Sequence, residues 1–382
     1  MELREWSRAV KGADDIELGI LRSSPLIYHC TAPAVGRSSG LVFVIPGFGE
    51  DAAGAYQQSL RAYLADKYDL LAVTVEYHCS QSRLSNGAVF NLSADEYEGL
   101  RKLCARHHVY IKRPEDVKQA LAQLNIPYEL DVHIAPGNGD YQNFGVMQAL
   151  DHLLVLQDIR KDDSVSFDHT NIIAFGSSHG GYIAHLLAKF APNTIHAVID
   201  NSSYTNANFV YLTAPSYFGR MKITCHLVTH WNFADPNSLF YFSPGCRAIR
   251  DTSSKPQIDT MRMAAQYPCQ YRMAHSVFDD LEPIAKKREQ AQWLKDAGFD
   301  AVLREFAEGD VDGEMIKSLG HGMDASLRAM FDYFYPTIVP APERRSDSAL
   351  GSSVAYLCDN LIFAFEHGDF GCAFNVSQFR KI

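Results

Sequence analysis

The run "NIIAFGSSHGGYIAHLLAKF", Asn171 to Phe190, constrains the chain more than any other segment. An apolar stretch with strand character stops at a glycine-flanked serine, and Ile183, Leu186, Leu187 and Phe190 then recur at helical spacing. Gly176-Ser177-Ser178-His179-Gly180 fits G-x-S-x-G, and within it only Ser178 has glycine two residues away on both sides. The bare pattern is common by chance. Between a strand and a helix it describes a tight, strained turn whose neighbours have no room for side chains. The serine Oγ then stands exposed at the edge of a sheet, with a helix N-terminus behind it.

The rest of the chain supplies such a sheet. A hairpin is expected from "DIELGI" and "PLIYHCTA", followed by a strand at Leu41–Ile45, a helix carrying Tyr56, Leu60, Tyr63 and Leu64 on one face, and the strand "LLAVTVEY". Beyond the serine turn come "HAVID", "CQYRMAHS", a helix from Pro283 to Ala297, "AVLREF", and an amphipathic stripe of Leu327, Met330, Phe331 and Phe334. Strands alternating with helices at this spacing predict an α/β fold with a mostly parallel central sheet and helices on both faces.

Two stretches break the rhythm, at about 78–140 and 204–267. The first contains helix-like pieces that start at Ser93 and Pro114; the second is rich in aromatics and prolines. Both leave from the ends of predicted strands, which suits cap insertions over one edge of the sheet. The main α/β domain is therefore read as residues 1–339. In 340–382, "PAPERRSDSALGSS" reads as a linker, and the remainder as a short β-rich extension packed on the core, with a turn at His367-Gly368-Asp369.

Composition excludes several function classes. A net charge of -10 argues against a nucleic-acid partner, since phosphate backbones are held by clustered Lys and Arg. The longest basic cluster, Lys286-Lys287-Arg288, is read as a solvated helix face. No run approaches the ~18 apolar residues of a membrane span. The charged N-terminal stretch has no secretory apolar core, so the expected location is the cytoplasm. Eight scattered cysteines, with no Cys-x-x-Cys pair, point to reduced, mostly buried thiols and no metal site. Oligomeric state is not legible.

A nucleophilic serine needs a base, and the base an acid that orients it. His321, in "SLGHGMDASLRAMFDYF", follows the last predicted strand and precedes the last helix, where a histidine reaches the serine from across the sheet edge. Asp279, in "MAHSVFDDLEPIAKK", sits in the turn between a strand and a helix and leaves Asp280 to solvent or to a cap. The chain order is Ser178, Asp279, His321.

With these residues in place the chain resembles the α/β-hydrolase superfamily, in a serine esterase or oligopeptidase-like layout. The resemblance rests on Phe175 to Tyr182, on "HSVFDDLEP" and on "GHGMD". The insertions and tail look like those of a bacterial branch associated with surface-glycan and flagellin-glycan genes. The superfamily implies an oxyanion hole of two backbone N–H groups. One would belong to His179, after the nucleophile; the other would come from Pro46-Gly47-Phe48-Gly49, with Phe48 the natural donor and Gly49 next in line. Proline stands where many members have histidine. Neither G-x-G-x-x-G nor Gly-Lys-Ser/Thr is present, so the glycines of this turn do not make a nucleotide loop.

Weaker polar candidates complete the reading. Asp140, Gln142 and Asn143 open a predicted helix, where Asn143 is a substrate-binding candidate and helix capping by Asp140 the plainer role. Asn201 and Ser202 are candidate pocket residues, as is Gly49; Trp231 and Tyr241 are either packing or a substrate platform. The expected activity is hydrolysis of a carboxylic ester, an O-acyl or O-acetyl group on a carbohydrate-type alcohol, without cofactor or metal. Acyl transfer or peptide cleavage by the same triad is the alternative, and a non-catalytic binding scaffold a more distant one.

Overall fold

The computed structural model describes residues 2–82, 89–113, 116–123, 129–207, 224–228, 236–238, 241–369 and 371–379. Pro114 and Trp231 lie outside the described residues. In chain order the strands are β1 (Leu3–Lys11), β2 (Pro25–Pro33), β3 (Gly40–Ile45), β4 (Leu70–Glu76), β5 (Val89–Asn91), β6 (Glu129–Ala135) and β7 (Ile172–Ser177). They continue with β8 (Ala197–Asn201), β9 (Thr224–Val228), β10 (Gln270–Ser276), β11 (Asp300–Phe306), β12 (Ser353–Cys358), β13 (Leu361–Gly368) and β14 (Gly371–Gln378). The chain divides into two compact units. One is Met1–Ser80, Asn143–Ala207 and Ser243–Ile382; the other is Gln81–Gln142 and Asn208–Phe242.

The first unit is built on an eight-stranded sheet in the order β1-β2-β4-β3-β7-β8-β10-β11. β2 runs antiparallel to β1 and β4, and every other pairing is parallel. Strands covered on both faces read as continuous apolar runs, and β3 and β8 are buried along their whole length. β1 is an edge strand, largely exposed, and its sequence "LREWSRAVK" carries too little apolar signal to be read as a strand. The expected first strand "DIELGI" is instead a tight loop closed by Asp15 and Ile20.

From β3 the chain crosses through the helix Ala55–Tyr68 to β4 on one side, and later returns to β7 on the other. Such a reversal opens a crevice at the carboxyl ends of the two strands. Ile45 of β3 stands opposite Gly176 of β7, so Pro46–Gly49 and Ser178 leave the sheet side by side. This sheet, with a serine turn after its central parallel strand, is the α/β-hydrolase fold.

All twelve residues of the following helix, His179–Phe190, are buried, although the sequence showed only a four-residue stripe. The C-terminal strands β12, β13 and β14 form a separate antiparallel sheet that closes over the end of this helix. Tyr356 Oη donates to the Lys189 carbonyl (2.5 Å), His367 Nε2 donates to the Phe190 carbonyl (2.8 Å), and the Phe190 and Phe365 rings stack at 4.1 Å.

The expected linker before these strands is an anchor. Asp347 is buried, and its carboxylate accepts from Asn193 N (2.9 Å), Thr194 N (2.7 Å), Thr194 Oγ1 (2.8 Å), Asn193 Nδ2 (2.9 Å) and Ser352 Oγ (2.7 Å). Arg344 donates to the carbonyls of Asn193, Ile195 and Pro268. A Pro- and Ser-rich segment reads as solvated because the groups it satisfies lie about 150 residues away. Asp347→Ala leaves those donors buried without an acceptor and is expected to lower stability by ~3 kcal/mol, read from the urea midpoint at unchanged slope. A loss below ~1 kcal/mol would show that the contacts are dispensable.

The basic cluster is also misread by sequence. On the helix Ile284–Asp296, Lys286 and Arg288 are exposed, but the helical period turns Lys287 inward with Gln290, Ala291 and Leu294. Its ammonium donates to Asp200 (2.7 Å), Ser203 (2.9 Å) and Gln290 (2.7 Å). Burial opposes ionisation of Asp200, but Lys287 and His185 outweigh it and hold the carboxyl below its ordinary range.

The second unit contains the sheet β5-β6-β9, with β5 antiparallel and β9 parallel to β6. Its helix Ala94–Arg106 starts at Ser93 through a reciprocal capping box with Glu96. Residues 243–267, read from sequence as part of the second insertion, group with the first unit. Cys30, Cys79, Cys104, Cys246, Cys269 and Cys358 are free and buried, and Cys372 is free and half-buried. Among the described residues no helix is long and apolar enough to cross a membrane.

Candidate active site

Ser178 has φ 55° and ψ -120°, a left-handed conformation unfavourable for any residue with a side chain. Two glycines make it possible. A Cβ on Gly176 would overlap the Gly180 carbonyl, and one on Gly180 would overlap the Ile45 and Pro46 carbonyls. The turn is held from below by Ser178 N, which donates to the Asn201 carbonyl at 2.7 Å.

His321 Nε2 lies 2.7 Å from Ser178 Oγ, and its Nδ1 lies 3.0 and 2.9 Å from the two Asp279 oxygens. Asp279 also accepts from Leu281 N (2.9 Å) and Glu282 N (3.0 Å), both on Oδ1. Burial works against the charge on Asp279, but the His321 bond and the two N–H groups hold it below the ordinary carboxylate range. An ionised Asp279 makes Nδ1 the donor, which leaves Nε2 to accept the Ser178 hydroxyl. The Tyr204 ring stacks on His321 at 5.4 Å and 13°, and Ser276 Oγ donates to the Leu319 carbonyl (2.6 Å), tying the His321 loop to the end of β10.

Across the crevice, Tyr77 Oη donates to the carbonyls of Pro46 (3.0 Å) and Gly47 (3.1 Å), and Gly47 N donates to Glu50 Oε2 (3.0 Å). Gly49 has φ +66°, the left-handed step that lets the turn reverse. The half-buried Phe48 ring lies edge-on to the His179 ring at 5.9 Å. His179 is the first residue of its helix, and its Nε2 donates to Gln148 Oε1 at 2.7 Å while Nδ1 is buried without a partner. Gln148 in turn donates to the His78 carbonyl at 3.0 Å.

Burial pushes the imidazole of His179 down to about 3 from an ordinary 6.5, and those of His152 and His196 down to about 4. All three are neutral in the folded chain at values where the unfolded chain binds protons. Stability is therefore complete above about 6.5 and falls as pH drops toward 4, at ~1.4 kcal/mol per unit for each group. An acid-unfolding midpoint above about pH 4 is expected by circular dichroism; a native signal at about pH 3.5 would contradict it.

The amides of two sequence candidates are engaged by other protein groups. Asn143 is fully buried; its Nδ2 donates to Asp15 (3.0 Å) and its Oδ1 accepts Met147 N (2.9 Å), an N–H of the first turn of the helix Val146–Arg160. Asn201 is buried as well, and its Nδ2 bridges Ser177 Oγ (3.0 Å) and the Gly322 carbonyl (3.2 Å), which braces the serine turn against the His321 loop. Tyr204 and Gln148 were missed: one follows a strand end with no motif, the other sits on a helix whose apolar residues surround it. Tyr241 is described as half-buried.

A family model described as "Protein of unknown function (DUF2920)" matches residues 7–372. The chain belongs to the DUF2920 family. No curated protein matches the DUF2920 chain in sequence. Among solved structures it is similar to the acylaminoacyl peptidase of Pyrococcus horikoshii, at 13% identity over 88% of this chain and 42% of that one, with a TM-score of 0.49. It thus spans less than half the length of that peptidase. It is also similar to fungal esterases from Rhizomucor miehei, at 12% identity over 88% and 81%, TM-score 0.45. An esterase of Pyrobaculum calidifontis matches at 17% identity over 87% and 79%, TM-score 0.41.

Proposed function

We propose that this DUF2920 protein is a serine hydrolase that cleaves carboxylic esters through Ser178, His321 and Asp279. The observation that carries the reading is the 2.7 Å contact between His321 Nε2 and Ser178 Oγ, with Nδ1 of the same ring on Asp279. Ser178 gives its proton to Nε2 as Oγ bonds to the acyl carbon, and the carbonyl electrons move onto oxygen. The N–H groups of His179 and Phe48 receive that oxyanion, with Gly49 the neighbouring donor. Imidazolium then protonates the leaving alkoxide as the C–O bond breaks. Water repeats the sequence on the acyl-enzyme, releases the acid and regenerates Ser178.

The aromatic and polar composition of the insertions read from sequence at about 78–140 and 204–267 favours a small acyl group on a carbohydrate-type alcohol over a long lipid chain. Product analysis with p-nitrophenyl acetate, with and without a sugar alcohol, tests the reaction. Stoichiometric acetate in both cases supports hydrolysis. Acetylated sugar as the main product would make the enzyme an acyltransferase, and the absence of acyl-ester turnover would overturn the proposal.

A further inference from the structure

A cavity of about 320 Å³ lies beside the helix Val146–Arg160 and the segment from Ser346 to Cys372. None of the residues that meet at Ser178 borders it. Arg160 does, with Nη1 donating to Ser348 Oγ at 3.2 Å. Its Nε and Nη2 are buried and have no acceptor among the described residues. Those two N–H groups form one edge of the guanidinium, the edge that takes two oxygens of a carboxylate or phosphate side by side.

The surrounding charges point the same way. The carboxylate that Arg160 feels is Asp347, whose oxygens are already taken by Asn193, Thr194 and Ser352. Burial pushes Arg160 down to about 10, still protonated at neutral pH. Lys161 and His169 border the same cavity, and His169 is held below its ordinary value by burial and by repulsion from Arg160 and Arg37. Asp369 is the acidic residue on the rim, and it is exposed. In a chain of net charge -10, a cavity beside a half-buried cation with no acceptor for one edge of its fork among the described residues is unusual.

We infer that this cavity binds the oxyanion head group, phosphate or carboxylate, of a small molecule, with Arg160 as a two-pronged donor, Lys161 as a supporting charge and His169 as a neutral hydrogen-bond donor. The Nε–Nη2 edge has no accessible surface in this structure, so two-pronged binding requires the guanidinium to turn toward the cavity. The Ser346 and Ser348 hydroxyls border the same cavity and bond to each other at 3.1 Å, so one of the two keeps a proton to donate to a remaining oxygen.

Calorimetric titration of the full chain with inorganic phosphate and with acetate, at ionic strength matched by chloride, tests the site. Saturable binding at one site per chain is expected, unchanged in Ser178→Ala, weakened ~10-fold or more in Arg160→Met and less in Arg160→Lys. Tighter phosphate or tighter acetate assigns the head group. Arg160→Met without anion is expected to resist urea at least as well as wild type, because it removes an unpaired buried charge; a purely structural arginine would give the opposite. If that variant fails to fold, Arg160→Lys and Lys161→Gln carry the test, each expected to bind more weakly than wild type. No saturable heat with either anion, or equal binding by the variants, overturns the inference.

Discussion

Asp279→Asn is expected to lower kcat for ester hydrolysis by ~10⁴-fold, with KM and thermal stability little changed. The reason lies in how the amide must orient. Asp279 Oδ1 accepts the N–H groups of Leu281 and Glu282, so in the variant the amide oxygen stays there and the NH2 group turns toward His321. Facing a donor, Nδ1 becomes the acceptor and the ring proton moves to Nε2. Nε2 then no longer accepts from Ser178, although every heavy atom keeps its place. Steady-state kinetics on p-nitrophenyl acetate reads the effect. A loss of less than ~10-fold would mean that Asp279 does not set the tautomer.

Gly180→Ala carries the second large effect, on the fold and the turn together. The new methyl would meet the carbonyls of Ile45, the last residue of β3, and of Pro46, which follows it; both are backbone and cannot swing aside. Either the serine turn or the start of the Pro46–Gly49 loop has to move. The expected cost is ~3 kcal/mol or more in urea unfolding, with kcat reduced in whatever folds. Gly309→Ala, where a Cβ has no neighbour within 4 Å, serves as control and should stay within ~0.5 kcal/mol of wild type. Equal behaviour of the two variants would show that the close approach at Gly180 is not a constraint.

The sequence carried the parts of this molecule that have local signatures. That Ser178, Asp279 and His321 come together was legible because a serine turn needs glycines at fixed offsets and because strand ends and helix starts bracket the other two. The parallel sheet followed from continuous apolar runs such as "GLVFVI". Edge strand β1 was not legible, since exposure on both faces removes periodicity. Lys287, Asp347 and Gln148 were misread or missed for a common reason: each polar side chain is buried by partners far away in the chain, and no short-range pattern records them. Asn143 and Asn201 show the converse, polar residues near strand ends whose amides are consumed in bracing the backbone.

Covalent labelling with a fluorophosphonate, mapped by peptide mass spectrometry, tests the nucleophile most directly. The expected result is one adduct, on the peptide containing Ser178, absent in Ser178→Ala and formed far more slowly in His321→Ala. No adduct on folded wild-type protein, or an adduct formed equally fast in Ser178→Ala, would contradict the assignment of Ser178 as the nucleophile.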